Sequence, residues 1–157
     1  MNIIDTRTVN TLSPYNKGAI KNIPLFKLEP LSYELKSKNY TDIIFQSTPS
    51  VEFFNDINLL KNKRVFSMGV PTKKSLADKG IDSESPVFPG SFALNELLKE
   101  NLSNRKFLIV KGLGGLNKIF NYLIKNDAQV HEIIFYQRMK FDSYEEIKKL
   151  FKKSDAI

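Results

Sequence analysis

From Asp42 to Tyr136 the chain alternates short apolar runs with stretches whose apolar residues recur every three or four positions. Asp42 to Phe45 is one such run, and Ser47-Thr48-Pro49 supplies an N-cap and a proline for the helical turn behind it. Val51, Phe53-Phe54, Ile57 and Leu60 continue at helical spacing. Arg64 to Met68 reads as the next strand, broken by Gly69-Val70-Pro71, and a helix then runs to about Lys79 before Gly80. Pro86-Val87-Phe88 reads as a minimal strand, and Pro89-Gly90-Ser91 opens a third helix with Ser91 as its N-cap. Strand 107–111 leads through Gly112-Leu113-Gly114-Gly115 into a helix with Leu116, Ile119, Phe120, Leu123 and Ile124 on one core-facing side. Asn126 is its left-handed stop. Val130 to Tyr136 is the last strand of the series.

This β-α-β-α-β-α-β-α-β alternation with short loops predicts an α/β fold. Its parallel sheet is covered by helices on both faces and joined by right-handed crossovers. Ligands of such sheets bind beyond the carboxyl ends of the strands. Those ends are Ser47-Thr48, Gly69-Val70-Pro71-Thr72, Pro89-Gly90-Ser91, Gly112 to Gly115 and Tyr136. Hydroxyl and glycine residues gather there and carboxylates do not, which points to an anionic ligand.

Two flanks lie outside the series. Residues 2–6 and 23–29 are strand candidates joined by a loop around Ser13 to Gly18, and residues 143–153 form a helix opened by a capping box of Ser143 with Glu146. The closing Ser154-Asp155-Ala156-Ile157 echoes Thr41-Asp42-Ile43-Ile44, as if a second βα array were starting.

Composition narrows the chemistry. With 157 residues, 41% hydrophobic and 26% charged, the chain belongs with globular domains. No apolar run approaches the ~18 residues of a membrane span, and Met1-Asn2-Ile3-Ile4-Asp5 lacks the features of a signal peptide, so a cytoplasmic location is expected. The absence of cysteine excludes disulfides, thiolate metal sites and cysteine nucleophiles. A single histidine, His131, leaves little for triad or metal chemistry; it precedes a strand at the wrong end of the sheet and reads as a surface residue. The net charge of +7, from 24 Lys+Arg against 17 Asp+Glu, favours anionic partners, yet the lysines are scattered as on a solvated surface.

The glycine turn invites a dinucleotide reading, which the residues do not support. Asn117 stands where the third glycine of G-x-G-x-x-G belongs. The stretch about 20 residues on, where a ribose-binding acid belongs, reads as the apolar Ile133-Ile134-Phe135. A receiver-type phosphoacceptor is also disfavoured: Asp42 lies at the amino end of its strand, and the carboxyl end is Gln46-Ser47.

Several short elements, in order along nearly the whole chain, resemble the uroporphyrinogen-III synthase family. Asn2 to Arg7 is similar to that family's opening strand, and Ile23 to Leu31 to the strand that crosses between its domains. Asp42 to Val51 resembles its strand-Phe-Thr-Ser element, with Gln46 in place of the usual threonine. Met68-Gly69-Val70-Pro71-Thr72 with Leu76 and Gly80 resembles its second loop. Lys111 to Gly115 resembles the loop before its penultimate helix, with Lys111 and Asn117 where arginines are frequent. Phe135-Tyr136-Gln137-Arg138 resembles the Val-Tyr-x-x that returns to the first domain.

The resemblance implies two flavodoxin-like domains joined by a two-stranded connector. Residues 1–35 would give the N-terminal part of the first domain and a connector strand. Residues 36–136 would give a complete second domain, and residues 137–157 the return connector and the start of the rest of the first. It implies cyclisation of hydroxymethylbilane to uroporphyrinogen III, with inversion of the last pyrrole ring and loss of water. It further implies no cofactor, no metal, a monomer, and neither nucleic acid nor membrane as partner. The ligand would be a polycarboxylate tetrapyrrole.

Tyr136 is then the expected proton donor to the departing hydroxyl, with Thr72 as a second catalytic contact. Arg7, Ser47, Thr48, Gly69, Ser91, Gly112, Gly114 and Gly115 are the expected substrate contacts. Because the long C-terminal part of the resembled first domain is absent, these 157 residues are expected to be an incomplete, inactive fragment. The alternative is a non-enzymatic flavodoxin-like module that binds anions or tetrapyrroles.

Overall fold

The computed structural model describes residues 3–8, 20–99 and 102–155. The chain divides into two compact units, Pro30–Gln137 and Met1–Glu29 with Arg138–Ile157.

The larger unit is built on strands β4 (Asp42–Phe45), β5 (Arg64–Ser67), β6 (Lys106–Gly112) and β7 (Gln129–Met139). They belong to a five-stranded sheet whose outer strand is β3 (Lys27–Pro30), in the order β3-β7-β6-β4-β5. The pairs β4–β5, β4–β6 and β6–β7 are parallel. Counting from β4, the order 2-1-3-4 is the doubly wound arrangement of flavodoxin-like sheets.

The helices are α1 (Thr48–Glu52), α2 (Val70–Ala77), α3 (Ser91–Leu98) and α4 (Lys118–Lys125). Successive strand residues point to opposite faces. Ile44, Phe66, Phe107 and Ile109 bury themselves with Leu94 and Leu98 of α3 and Ile119 and Leu123 of α4. Their neighbours serve the other side, where Phe45 meets Phe54 and Phe54 meets Phe135. Both faces are therefore covered, as the near-continuous apolar strands require.

At the amino ends of the strands, Asp42 is fully buried and accepts from Thr41 Oγ1 at 2.6 Å and from Arg105 Nε at 2.7 Å, with a second guanidinium contact. The acid is a structural tie. His131, exposed at the start of β7, meets the Tyr40 hydroxyl through Nδ1 at 3.0 Å, far along the strand from Tyr136.

Several local expectations are corrected. Pro86-Val87-Phe88 forms no strand: two prolines remove ladder donors, and Val87 and Phe88 stand 88% and 75% exposed. A single parallel bridge, Phe66 with Glu84, marks that edge instead. The helix read from Thr48 to Leu60 stops at Phe53, because Phe53 turns to Tyr136 while Phe54 packs inward. A separate 3-10 turn follows at Ile57–Leu60.

Gly90, not Ser91, caps α3, in a backbone conformation with φ of +126° that favours glycine. Asp127 (φ +60°), not Asn126, is the left-handed residue after α4, while Asn126 Nδ2 donates back to the Tyr122 carbonyl. Leu116 precedes α4 and lies 69% exposed instead of in the core.

The smaller unit contains a parallel pair, β1 (Ile3–Asp5) with β2 (Ile20–Asn22), and helix α5 (Glu145–Phe151). The strand expected over 23–29 is split, with Ile23 to Phe26 irregular around Pro24 between β2 and β3. No capping box opens α5: Tyr144 is its N-cap residue, and the Glu146 carboxylate binds Lys149. The Tyr144 hydroxyl donates to the Leu25 carbonyl at 2.7 Å. The loop around Ser13 to Gly18 and the end of the supposed new array, Ala156-Ile157, lie outside the described residues. Among the described residues no helix is long and apolar enough to cross a membrane.

Candidate functional site at the carboxyl ends of the strands

The strand order reverses between β4 and β6, and the carboxyl ends at such a switch point are where doubly wound sheets bind their ligands. Gln46, Ser47 and Thr48 leave β4 there, Lys111 to Asn117 leave β6, and Tyr136 approaches on β7.

Ser47 is held by the start of α1. Its Oγ accepts from Ser50 N at 3.3 Å, Ser47 N donates to Ser50 Oγ at 3.3 Å, and Ser50 Oγ donates to the Ser47 carbonyl at 2.6 Å. This reciprocal cap fixes the serine's backbone and side chain together. Ser47 Oγ also lies 3.0 Å from the Tyr136 hydroxyl.

Tyr136 is placed by an irregularity in the sheet. Lys111 pairs with Ile134 but Gly112 pairs with Tyr136, leaving Phe135 as the extra residue. Bulges of this kind re-aim a side chain. Tyr136 is 5% exposed; its ring packs near Phe53, and its carbonyl accepts from Leu113 N at 2.8 Å. The phenol ring lies directly over Gly112, where a side chain would collide with it.

The glycine turn has two further constraints. Gly114 adopts φ of +76°, and a Cβ on Gly115 would come 3.1 Å from the Gly112 carbonyl and 3.4 Å from Gln46 Oε1. Gln46 reaches beneath the turn, and its Nε2 is buried with no hydrogen-bond partner.

Lys111 is buried and engaged: its Nζ donates to Asn117 Oδ1 at 2.6 Å and to Glu132 Oε1 at 2.7 Å. Glu132, just ahead of the apolar stretch that argues against a ribose site, is thereby committed to a lysine.

The expected contacts thus separate. Ser47 and Gly112 both meet Tyr136, and Gly115 approaches Gln46. Gly69 is the N-cap residue of α2, and a side chain there would press on Pro89. Thr72, expected as a second catalytic contact, sits buried in the first turn of α2. Thr48 is the first residue of α1, and Ser91 the first of α3.

Arg7 belongs to the smaller unit, where it grips Asp5 with Nε to Oδ1 at 2.8 Å and Nη2 to Oδ2 at 2.9 Å. These bonds hold the Asp5 carboxyl below its ordinary value and raise that of Arg7. Gln46 is missing from the contacts expected of the sequence; the signal for it is a long amide directly after the apolar run Ile43-Ile44-Phe45.

A hydroxyl pair over a glycine turn, at the switch point of a doubly wound sheet, defines an α/β protein with its candidate site at the strand ends. Residues 18–157 match the family model for Uroporphyrinogen-III synthase HemD, and the chain belongs to that family. The fold is similar to the crystal structure of uroporphyrinogen-III synthetase from Helicobacter pylori 26695, with a TM-score of 0.62 at 16% identity over 95% of this chain and 67% of that one. It is also similar to the wild-type uroporphyrinogen III synthase of the extremely thermophilic bacterium Thermus thermophilus, with a TM-score of 0.53 at 12% identity over 78% of this chain and 54% of that one. This chain thus spans about two thirds of the first and just over half of the second. No curated protein sequence matches it.

Proposed function

We propose that this chain serves as a uroporphyrinogen-III synthase, a cofactor-independent lyase of tetrapyrrole biosynthesis that acts in the cytoplasm as a monomer. It would cyclise hydroxymethylbilane with inversion of the last pyrrole ring and loss of water. The observation that carries the reading, beside family membership, is the Tyr136 hydroxyl held against Ser47 at the switch point, a positioned donor for a leaving hydroxyl. The surroundings suit a ligand with apolar rings and carboxylate arms. Val70, Val87, Phe88, Phe92, Leu113 and Leu116 are all exposed in the loops and helix starts at this end of the sheet.

Lys111 does not supply the recognition, because it is bound to Glu132. Carboxylates would be received by backbone N–H groups of the turn Gly112 to Gly115, with Thr48, Thr72 and Ser91 at the heads of their helices. The test is incubation of the purified full-length protein with hydroxymethylbilane and separation of the product isomers. Type III product supports the reading; only spontaneous type I product from folded protein overturns it. Tight tetrapyrrole binding without turnover would support a non-enzymatic binding module instead.

A further inference from the structure

The hydrogen bond of the hydroxyl pair at the switch point admits either oxygen as donor, and the surroundings of the two groups favour one of the two arrangements. Ser47 Oγ already accepts from Ser50 N. A serine hydroxyl has one proton to donate. Among the described residues the Tyr136 hydroxyl, 3.0 Å away, is the side-chain partner of Ser47 beyond its own capping box. Neither group can easily turn away: the capping box holds Ser47, and the hydroxyl-bearing end of the Tyr136 ring is packed against Gly112.

We propose that Ser47 is a positioning residue that acts through Tyr136 and not on the substrate. Ser47 gives its proton to the phenol oxygen, which turns the Tyr136 O–H outward to the ligand. This rests on the synthase reading above. In the reaction, Tyr136 transfers its proton to the substrate hydroxyl as the carbon–oxygen bond breaks, and water leaves. The Ser47 O–H then stabilises the phenolate. Inversion breaks the bond between the last ring and its methylene bridge and forms two others, one from each α-carbon of that ring; the α-carbon that carried hydrogen releases its proton, and that proton restores the phenol. The balance is two carbon–carbon bonds formed, one broken and one water lost, with no oxidant or reductant.

The test compares Ser47→Gly, Ser47→Ala and Ser47→Thr in the full-length protein. Glycine is tolerated at an N-cap, so Ser47→Gly removes the hydroxyl while sparing the helix start, and folding is checked by thermal unfolding. Ser47→Gly should lower kcat about tenfold or more with KM within about twofold, the pattern of an interaction made only in the transition state. Ser47→Thr should recover most of that loss.

In a Tyr136→Phe background, Ser47→Gly should have no further effect. An equal loss in both backgrounds would show Ser47 acting on substrate directly and overturn the proposal. A second readout needs no turnover: the carbon-13 signal of the Tyr136 ring carbon bearing the hydroxyl, assigned by its loss in Tyr136→Phe. It should move in Ser47→Gly and return in Ser47→Thr, and an unmoved signal also overturns the proposal. If the unaltered protein forms no type III product, the synthase reading fails, and this signal alone decides whether Ser47 orients the phenol.

Discussion

A methyl group placed on Gly112 would lie 2.4 Å from Cζ of Tyr136, 2.6 Å from Cε2 and 2.8 Å from the hydroxyl oxygen. Glycine is required there by a neighbouring side chain, whereas at Gly114, with φ of +76° and open space around it, glycine is required by the backbone. Gly112→Ala must therefore displace the Tyr136 ring and part its hydroxyl from Ser47. Overpacking of this kind costs about 1–3 kcal/mol, visible as a lower denaturant midpoint, and turnover should fall with it. Gly114→Ala should also destabilise while leaving the Tyr136 ring signal unmoved. If Gly112→Ala is as stable as the parent and keeps that signal, the ring is not packed as described.

Tyr136→Phe separates chemistry from packing. The ring contacts with Phe53 and Gly112 survive, and one hydrogen bond, to Ser47, is lost. Stability should drop by about 0.5–1.5 kcal/mol. Turnover of hydroxymethylbilane should drop roughly 10²–10⁴-fold. Parallel measurement of unfolding and of type III product decides the matter: an unchanged rate removes Tyr136 from the mechanism.

What can be read before folding is set by local rules. The strands at 42–45, 64–67 and 107–111 each contain a short apolar run, and the Ser47 cap with Pro49 follows from chain-local chemistry, so both are legible. The edges are not. Whether Pro86-Val87-Phe88 joins a sheet depends on whether its donors have partners, and β3, far away in the chain, takes the outer position on the other side of the sheet. Leu116 matches the helical period but precedes the helix, a boundary set by the length of the turn after Gly112. The glycines and hydroxyls of the site are visible as a group at the strand ends. Only the bulge at Phe135 picks out Ser47, Gly112 and Tyr136 from that group, and a bulge leaves no periodic trace. Arg7 reads as a substrate contact only as long as its neighbour Asp5 is not considered as its partner.

The pair Lys111 and Glu132 gives a test of how the base of the turn is held. The lysine side chain is 6% exposed and the glutamate 22%, and the lysine also reaches Asn117 at the head of α4. Removing one partner of a buried pair leaves a charge without compensation, while removing both can be nearly neutral. Glu132→Ala should cost about 1–3 kcal/mol, less than a fully buried pair because water reaches the carboxylate. Lys111→Met with Glu132→Leu should recover much of that loss. Denaturant unfolding of the three proteins checks this, and a double variant weaker than Glu132→Ala alone would show the pair to be a net source of stability.

Tyr33 supplies a dependence on pH. Its ring lies 4.0 Å from that of Phe135, the bulged residue next to Tyr136, and its hydroxyl donates to Asp56 Oδ2 at 2.6 Å. Burial raises the phenol above its ordinary value, and the hydrogen bond to the Asp56 carboxylate raises it further. The neutral phenol is thus favoured in the folded state. The stability this contributes is fully present below the unfolded value of about 10 and is lost as pH rises through the higher folded value. Tyr40, raised by burial, acts in the same direction. Denaturant unfolding followed from neutral pH to above pH ~10 should show the parent losing stability more steeply than Tyr33→Phe at the alkaline end. At neutral pH the variant should be the weaker of the two, by about 0.5–1.5 kcal/mol for the missing hydrogen bond, so the two curves approach each other as the phenol ionises. Curves that stay parallel across this range would mean that the Tyr33 proton is not held by Asp56 in solution.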